Sequence, residues 1–296
     1  MAGPMYKTGT SAFAVLAIVA CGSTVASSLP IPITMAARQG TIDVGGRSRT
    51  YLVFRPASLG AGKQVPLVLA LHGYTQTAQA LEGGTRFNEL ATTDGFEVVY
   101  PEGYHNSWNA GFCCGDAQSE KLDDVGFIKV LIDHLISTGG IDSTRVFVTG
   151  LSNGGFMSYR LACELSDHVL AIASVSGTMV IPLSGCHPQH PVSVLEMHGT
   201  ADDIVPYDGS GTGIGYFPSS SAVISDWVEN DDCTGKATTS TSGVVTTDVW
   251  SACRGGTMVR LDTIAGGTHA WFGAVPGEPN ATHVVWEFLS HLPVRV

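Results

Sequence analysis

The sequence contains few charged residues, and especially few basic ones. Charged side chains make up 14% of the 296 residues, and 15 lysines and arginines stand against 26 acidic residues, which gives a formal net charge of −11. The basic residues are scattered along the chain. Because nucleic acids and anionic membrane surfaces are bound by clustered basic side chains, neither is expected as a partner.

Metal-binding patterns and membrane-spanning runs are also missing. The sequence has no Cys-x-x-Cys pair and no His-Glu-x-x-His pattern, so we predict no metal site. Residues 209–215 are expected to form a flexible Gly/Ser loop without the flanking strand of a dinucleotide site, so no other cofactor is predicted. The apolar run over residues 12–20 is shorter than the roughly 20 residues of a membrane-spanning helix, so no span is expected.

The N-terminus has the features of an export signal. Lys7 precedes the apolar run over residues 12–20, which has the length of a signal-peptide core. Residues 18–21 resemble a bacterial lipobox, which would make 1–20 the signal peptide and Cys21 a lipid anchor, whereas residues 24–26 fit ordinary cleavage near residue 26. Both alternatives predict a secreted or extracytoplasmic protein.

No linker-like segment interrupts the remainder of the chain. We therefore predict a polar leader over residues 21–40 and a single catalytic domain over residues 41–296. Short apolar segments alternate with segments of helical periodicity throughout this region, which predicts an α/β fold with a mostly parallel sheet and helices on both faces. Strands are predicted at 49–54 (an edge strand), 65–71, 96–101, 145–149, 170–175, 192–197 and 258–264.

The cysteine content suits an oxidising compartment. Of the seven cysteines, six remain when Cys21 is set aside, an even number. Cys233 and Cys253 flank a Thr/Ser-rich segment and are predicted to pair. The adjacent Cys113 and Cys114 are not expected to bond each other without strain, so each is expected to reach Cys163 or Cys186, in a pairing that the sequence leaves open.

The strand at 145–149 leads into Gly150-Leu151-Ser152-Asn153-Gly154, and a helical segment comes next. This strand, sharp turn and helix are typical of a nucleophile elbow, in which the glycines permit a tight turn and the serine hydroxyl is exposed. A serine hydroxyl is a weak nucleophile near neutral pH, so Ser152 needs a general base and an acid that orients the base.

In such folds the acid and the histidine come after the serine in the chain, each on a loop after a later strand. Asp202 follows the strand at 192–197 and is the predicted acid, with Asp203 as the alternative. His269 follows the last strand and two glycines and is the predicted base. His198 precedes the acid loop, where we expect it to fix the turn by a hydrogen bond.

The oxyanion of an acyl-transfer intermediate needs two positioned donors. We predict the backbone N–H of Asn153, at a helix N-terminus, and that of Tyr74, which follows His72-Gly73 after the strand at 65–71. Gln76 could add a side-chain contact to the substrate. Tyr74, Trp108 and Trp271 could form an aromatic wall for a flat acyl group, although packing within the protein is the alternative for each of them.

Several motifs in a fixed order carry a resemblance to a known family. They are His72-Gly73-Tyr74-Thr75-Gln76, the segment 107–115, Asp123-Asp124-Val125-Gly126-Phe127, the elbow, His198-Gly199-Thr200-Ala201-Asp202 and Gly267-Thr268-His269-Ala270-Trp271. Together they resemble the secreted esterases that include feruloyl esterases and polyhydroxybutyrate depolymerases. The resemblance implies an α/β-hydrolase fold and carboxylic-ester hydrolysis through an acyl-enzyme on Ser152, with Asp202 and His269.

The resemblance leaves several substrates open. Release of hydroxycinnamic acids from plant cell-wall polysaccharide, as by a feruloyl esterase, is the first expectation, and hydrolysis of polyhydroxybutyrate or a similar polyester is the second. An acetylxylan esterase, a serine peptidase and a non-catalytic binding module are further alternatives. The expected partner is accordingly an ester, a feruloylated polysaccharide fragment or a polyester oligomer.

Overall fold

The computed structural model describes residues 1–3, 36–60, 62–212 and 215–294. The predicted signal peptide, Cys21 and most of the leader lie outside the described residues. The chain divides into two units, 1–34 and 35–296, and the helices and strands of the described residues all belong to the second. The first strand begins at Arg38, slightly before the predicted domain boundary at residue 41.

A ten-stranded sheet organises the described part of the chain. In chain order the strands are β1 (Arg38–Val44), β2 (Arg47–Phe54), β3 (Val65–Leu71), β4 (Glu97–Pro101), β5 (Ile141–Leu151), β6 (Ala171–Val175), β7 (Ser193–Gly199), β8 (Ser210–Thr212), β9 (Gly215–Phe217), β10 (Thr238–Ser242), β11 (Val245–Trp250) and β12 (Val259–Ile264). The spatial order is β1-β2-β4-β3-β5-β6-β7-β12-β11-β10, and β8 and β9 pair separately.

The six neighbouring strands β4, β3, β5, β6, β7 and β12 run parallel to one another. Their residues are almost entirely buried because helices cover both faces, as the near-continuous apolar runs predict. The helices are α1 (Ala78–Thr85), α2 (Phe87–Asp94), α3 (Gly115–Ser119), α4 (Asp124–Thr138), α5 (Asn153–Glu164), α6 (Ser220–Asn230) and α7 (Ala281–Ser290), with 3₁₀ turns at Leu183–Gly185 and Arg254–Gly256.

Each face of the sheet has its own hydrophobic core. Helices α4, α5 and α6 pack on one face and α1, α2 and α7 on the other. This arrangement confirms the predicted α/β class, and the parallel strands end at a common edge where their loops meet. Among the described residues, no helix is both long enough and apolar enough to cross a lipid bilayer.

Some elements at the margins of the sheet differ from prediction. The segment 49–54 was expected to be an edge strand, but β1 pairs antiparallel outside β2. The Thr/Ser-rich segment forms the antiparallel pair β10 and β11, whose side chains are exposed or half-exposed and therefore lack an apolar pattern. Part of the expected loop at 209–215 belongs to the small β8–β9 pair.

Disulfide bonds join Cys233 to Cys253, as predicted, and Cys163 to Cys186. The third bond joins the adjacent Cys113 and Cys114, so the expectation that each reaches a distant cysteine is wrong. The fold brings the Cα atoms of Cys163 and Cys186 to 4.9 Å, which suits a disulfide and leaves the adjacent pair to each other. A cis peptide bond connects Cys113 and Cys114.

A buried carboxyl at the end of α6 makes stability depend on pH. Asp231 is fully buried, its Oδ2 has no hydrogen-bond partner among the described residues, and burial raises its pKa to about 6. Because the folded-state pKa lies above that of the unfolded chain, this group favours folding at low pH. That contribution is lost as the pH rises through about 6.

We expect Asp231→Asn to raise the free energy of unfolding at pH 8 by about 2 kcal/mol, because it removes a buried charge. At pH 4 the variant and the wild type should differ little, since Asp231 is then neutral. Urea unfolding at both pH values measures this. Asp232→Asn, at the exposed neighbouring position, is the matched control. An equal effect of Asp231→Asn at both pH values would contradict the assignment.

Candidate active site

The sharp turn between β5 and α5 places Ser152 at the carboxyl edge of the sheet. Ser152 has φ 55° and ψ −117°, a conformation that side-chain-bearing residues rarely adopt. A Cβ atom at Gly150 would strike the backbone of Gly154, and one at Gly154 would strike the carbonyl of Leu71. Both glycines are therefore needed for the close approach of strand and helix, and the turn has the geometry of a nucleophile elbow.

The neighbouring strands β7 and β12 bring Asp202 and His269 together. The two strands pair in parallel, so the loops after them lie side by side. Nδ1 of His269 lies 2.8 Å from Oδ2 of Asp202, although 67 residues separate them in the chain. Asp203 is exposed and Asp202 is buried, so the geometry favours Asp202 over the alternative.

Asp202 is held as an anion. Burial by itself raises the pKa of this carboxyl, but hydrogen bonds from His198 and His269 and from the backbone of Val205 outweigh it and hold the pKa well below its usual range. Its Oδ1 accepts the backbone N–H groups of Ile204 and Val205 at 3.0 and 2.8 Å. These bonds fix the carboxylate so that Oδ2 faces His269.

Ser152 and His269 line one cavity of about 340 Å³, a volume within the usual range for small-molecule sites. The side chain of His269 is 19% exposed, so the ring can reach a bound molecule. Within the described residues, neither the Ser152 hydroxyl nor Nε2 of His269 makes a hydrogen bond. Such bonds are often long or misaligned in ligand-free hydrolases and tighten when substrate binds.

Two backbone N–H groups are available at the mouth of the elbow. In the described part of the chain, the N–H groups of Tyr74 and Asn153 make no hydrogen bond to the protein, whereas those of Thr75 and Gln76 bond to Asn106 and Gly73. Asn153 is the first residue of α5, where the helix dipole favours negative charge. Both groups are therefore free to donate to a ligand, and their role as oxyanion donors stays a prediction.

The side chain of Asn153 ties the elbow to the segment after β4. Its Oδ1 accepts the N–H of Trp108 at 2.8 Å, and its Nδ2 donates to the carbonyl of Trp108 at 3.1 Å. The indole N–H of Trp108 in turn donates to the carbonyl of His72 at 2.9 Å. Trp108 therefore joins the two segments that carry the Tyr74 and Asn153 N–H groups.

The expectation that Trp108 forms part of a substrate wall is wrong. Its side chain has no exposed surface and packs against His72 and Phe127, behind the cavity. The sequence places Trp108 on a loop near the site but does not show which way the ring points. Its bonds to His72 and Asn153 indicate that it supports the segments that carry the Tyr74 and Asn153 N–H groups.

We expect Trp108→Phe to lower stability by about 1–3 kcal/mol, because it leaves the buried carbonyl of His72 without a donor. It should also lower ester turnover, by a similar factor for small and for aromatic acyl groups. The factors should be similar because the variant loosens the segments that carry the predicted oxyanion donors and leaves the lining of the cavity unchanged. Parallel kinetics on p-nitrophenyl acetate and methyl ferulate measure this. Trp250→Phe, on β11, is the control. A loss of turnover confined to the aromatic ester would contradict this role and would support the interpretation of Trp108 as part of a substrate wall.

Trp271 and Gln76 do line the cavity. The indole N–H of Trp271 donates to Thr282, and its ring meets Phe87 edge-on at 5.8 Å, so this wall is held in place. Oε1 of Gln76 accepts the N–H of Gly73 at 3.1 Å, which stiffens the turn that carries Tyr74. Contact of either residue with a substrate stays a prediction.

A larger cavity of about 460 Å³ lies elsewhere, lined by residues that include Phe112, Val180 and Pro218. It is mostly apolar and contains none of Ser152, Asp202 and His269. The chemistry of the lining favours the smaller cavity as the candidate active site, because it contains the serine of the elbow together with the histidine that contacts Asp202.

Sequence reasoning missed a second buried link to Asp202. Nε2 of His198 lies 3.4 Å from Oδ2 of Asp202, and Nδ1 of His198 lies 2.7 Å from Oε1 of Glu196. The expected hydrogen bond of His198 to the turn is present, to the carbonyl of Val205. The sequence signal that could have revealed this link was Glu196, because a carboxylate within an apolar buried strand needs a partner.

A mostly parallel sheet with a nucleophile elbow, and with an acid and a histidine after later strands, defines the α/β-hydrolase fold. The solved structure of acetyl xylan esterase from Aspergillus awamori has this fold. It matches the chain with a TM-score of 0.65 at 16% identity, over 86% of this chain and 99% of that one. At this identity the likeness establishes the fold alone.

Residues 49–247 match the family described as Esterase PHB depolymerase, and the chain belongs to this family. It is 30% identical over 234 residues to feruloyl esterase B of Piromyces equi, covering 75% of this chain and 42% of that protein. It is 36% identical over 133 residues to poly(3-hydroxyalkanoate) depolymerase C of Paucimonas lemoignei, covering 42% of this chain and 31% of that protein. The chain thus spans less than half the length of both relatives. The predicted family is confirmed.

Proposed function

We propose that the protein is a serine carboxylic-ester hydrolase in which Ser152 is the nucleophile, His269 the general base and Asp202 the residue that orients it. The 2.8 Å contact of Asp202 with His269, above a cavity shared with Ser152, carries the proposal. The ionised carboxylate favours the neutral tautomer of His269 with its proton on Nδ1, and in that tautomer Nε2 can accept a proton.

The reaction has two halves. In the first, Nε2 of His269 takes the proton of Ser152 as the oxygen attacks the acyl carbon, and the N–H groups of Tyr74 and Asn153 stabilise the oxyanion. The intermediate collapses, the bond to the alcohol breaks, and His269 gives its proton to the leaving oxygen. In the second half, water repeats these steps on the acyl-enzyme and releases the carboxylic acid with Ser152 restored.

The form of the cavity favours an aromatic acyl group. Leu81, Tyr74 and Trp271 supply apolar and aromatic surface beside Ser152, which suits a planar ring with a short chain to the ester. The relative from Piromyces equi is named a feruloyl esterase. We therefore propose hydroxycinnamoyl esters of plant polysaccharide as the first substrate class.

A polyester is the second candidate. The family is named for polyhydroxybutyrate depolymerases, and the relative from Paucimonas lemoignei is named as a depolymerase of a polyhydroxyalkanoate. A hydroxybutyrate oligomer needs the same acyl-enzyme chemistry, with a branched aliphatic acyl group in the same cavity.

A panel of esters separates these candidates. Methyl ferulate, p-nitrophenyl acetate, a hydroxybutyrate oligomer and acetylated xylan are compared by kcat/KM. We expect methyl ferulate to give the highest value. A strong preference for the oligomer would reverse the order of the candidates, and no turnover of any ester would contradict the proposed hydrolase.

A variant that narrows the cavity tests the preference for an aromatic acyl group separately. Gly84 lines the cavity, and a Cβ placed on it would meet open space, so Gly84→Leu should fold and narrow the site. We expect it to lower kcat/KM for methyl ferulate about tenfold or more, with a smaller effect on p-nitrophenyl acetate. Gly83→Leu is the matched control, because Gly83 also faces open space but does not line the cavity.

We also propose that the protein acts outside the cytoplasm. The three disulfide bonds support an oxidising compartment. The predicted signal peptide and a lipid anchor at Cys21 are tested together by the mass of the mature N-terminus. A diacylglycerol adduct on Cys21 would establish the lipobox alternative, and a free N-terminus near residue 27 would establish ordinary cleavage.

A further inference from the structure

A chain of buried polar groups extends from the candidate triad into the core. The hydroxyl of Tyr159 donates to Oε2 of Glu196 at 2.9 Å, and Oε1 of Glu196 lies 2.7 Å from Nδ1 of His198. Nε2 of His198 lies 3.4 Å from the same Asp202 oxygen that contacts His269. Tyr159, Glu196 and His198 are all essentially inaccessible to solvent. The proposed mechanism leaves this chain of groups without a role.

The contacts of His198 define its protonation. Nδ1 faces a carboxylate oxygen of Glu196, and Nε2 lies 2.7 Å from the carbonyl oxygen of Val205, which can only accept. With Glu196 ionised, both ring nitrogens face acceptors, so both carry protons and the ring is an imidazolium. The ring of His72 has different surroundings, because its Nε2 accepts the backbone N–H of Gly103 at 2.9 Å.

The groups around His198 support a buried cation. Glu196 faces it from its own strand and Asp202 from the following loop, so the ring lies between two carboxylates. Tyr207 meets its ring edge-on and directs its hydroxyl to Thr263 instead. Beyond these, Tyr159 acts on it through Glu196, and His269 through Asp202.

The pKa values of His198 and Asp202 agree with this assignment. Burial by itself lowers the pKa of His198, but hydrogen bonds to Asp202 and Glu196 outweigh it and raise the pKa to about 10. Burial raises the pKa of Glu196 above its usual value, although its bonds to His198 and Tyr159 act in the opposite direction and favour the anion. The pKa of Asp202 lies well below its usual range, so that this carboxyl stays ionised.

We propose that His198 is a positively charged positioning residue that shares the Asp202 carboxylate with His269 and so tunes the basicity of His269. This inference rests on the proposed triad. A carboxylate whose charge is partly balanced by one imidazolium stabilises a second imidazolium less strongly. His198 thus keeps His269 deprotonated, and able to act as a base, at lower pH than an unshared carboxylate would allow.

The test is the pH profile of kcat/KM for a good ester substrate. In His198→Gln an amide replaces the charge, and Asp202 acts on His269 alone. We expect the acid limb to move up by about one pH unit, so that kcat/KM falls about tenfold at pH values on that limb and little on the alkaline plateau. A uniform loss at all pH values would show a merely structural role and overturn the proposal.

Tyr207→Phe is the matched control, because it removes the hydrogen bond of Tyr207 to Thr263 beside the His198 ring and leaves the two carboxylates and their hydrogen bonds in place. We expect its acid limb to stay in place even where stability falls. A shift of the acid limb equal to that of His198→Gln would mean that packing, and not charge, determines the pH at which activity falls. That result would also overturn the proposal. If wild-type protein shows no Ser152-dependent turnover, the proposed function fails instead.

A neutron structure of the wild-type protein near pH 7 decides the question even if His198→Gln does not fold. We expect deuterium on both Nδ1 and Nε2 of His198 and none on Glu196. Deuterium on a Glu196 oxygen with a bare Nδ1 would make the pair neutral and would overturn the proposal, whatever the kinetics of the variants.

Discussion

Replacement of Ser152 by alanine is expected to lower kcat for ester hydrolysis by about 10⁴–10⁶-fold. In the proposed mechanism this hydroxyl forms the acyl-enzyme, and among the described residues that line the cavity Ser152 is the one serine. KM should change little, because the walls and the oxyanion donors remain. Steady-state kinetics on methyl ferulate and p-nitrophenyl acetate measure both constants.

The control for this variant is Ser137→Ala, at an exposed position near the end of α4. It should keep wild-type kinetics. Thermal unfolding of both variants should match the wild type within a few degrees, which shows that the loss is chemical. Turnover of Ser152→Ala within tenfold of the wild type would contradict the assignment of the nucleophile.

Asp202→Asn is expected to lower kcat by about 10⁴-fold while the fold is kept. The amide can still accept the backbone N–H groups of Ile204 and Val205, but its NH₂ would face Nδ1 of His269. That arrangement favours the tautomer with the proton on Nε2, which can no longer accept the proton of Ser152. Kinetics against pH measure the loss.

Asp203→Asn is the matched control, because Asp203 is the exposed neighbour. It should stay within about twofold of the wild type. Equal losses in both variants would contradict the choice of Asp202.

The low folded-state pKa of Asp202 also predicts that it adds stability above the unfolded-state pKa of about 4, and that this stability is lost as the pH falls. The unfolding midpoints of wild type and Asp202→Asn should therefore converge in acid.

Much of the site could be predicted because its signals are local. The elbow is a run of five residues between a strand and a helix, and its glycines have a steric reason that a sequence shows directly. Asp202 and His269 could be chosen because parallel strands deliver their following loops to one edge. Chain order and strand position sufficed for both.

The parts that could not be predicted depend on direction or on distant partners. A sequence does not show that the ring of Trp108 points inward, because that depends on its bonds to His72 and Asn153. The Cys113–Cys114 pairing depends on the approach of Cys163 to Cys186, which is a tertiary contact.

The two polar strands at one margin of the sheet, β10 and β11, were missed for a different reason. The residues of β10 are all exposed and those of β11 half-exposed, so no apolar alternation marks them.

Helix α1 contains Gly83 and Gly84, which disfavour helix, and it is stabilised by burial of Leu81 and by Thr77 at its N-cap. Tertiary packing outweighs local helix propensity in α1.

The most direct test of the account is covalent labelling of the folded wild-type protein with a fluorophosphonate, followed by peptide mass spectrometry. We expect one adduct per chain, on Ser152, formed at a rate that falls sharply in Asp202→Asn. An adduct on another residue, or no adduct in folded protein that still hydrolyses esters, would contradict the claim that Ser152 is the nucleophile.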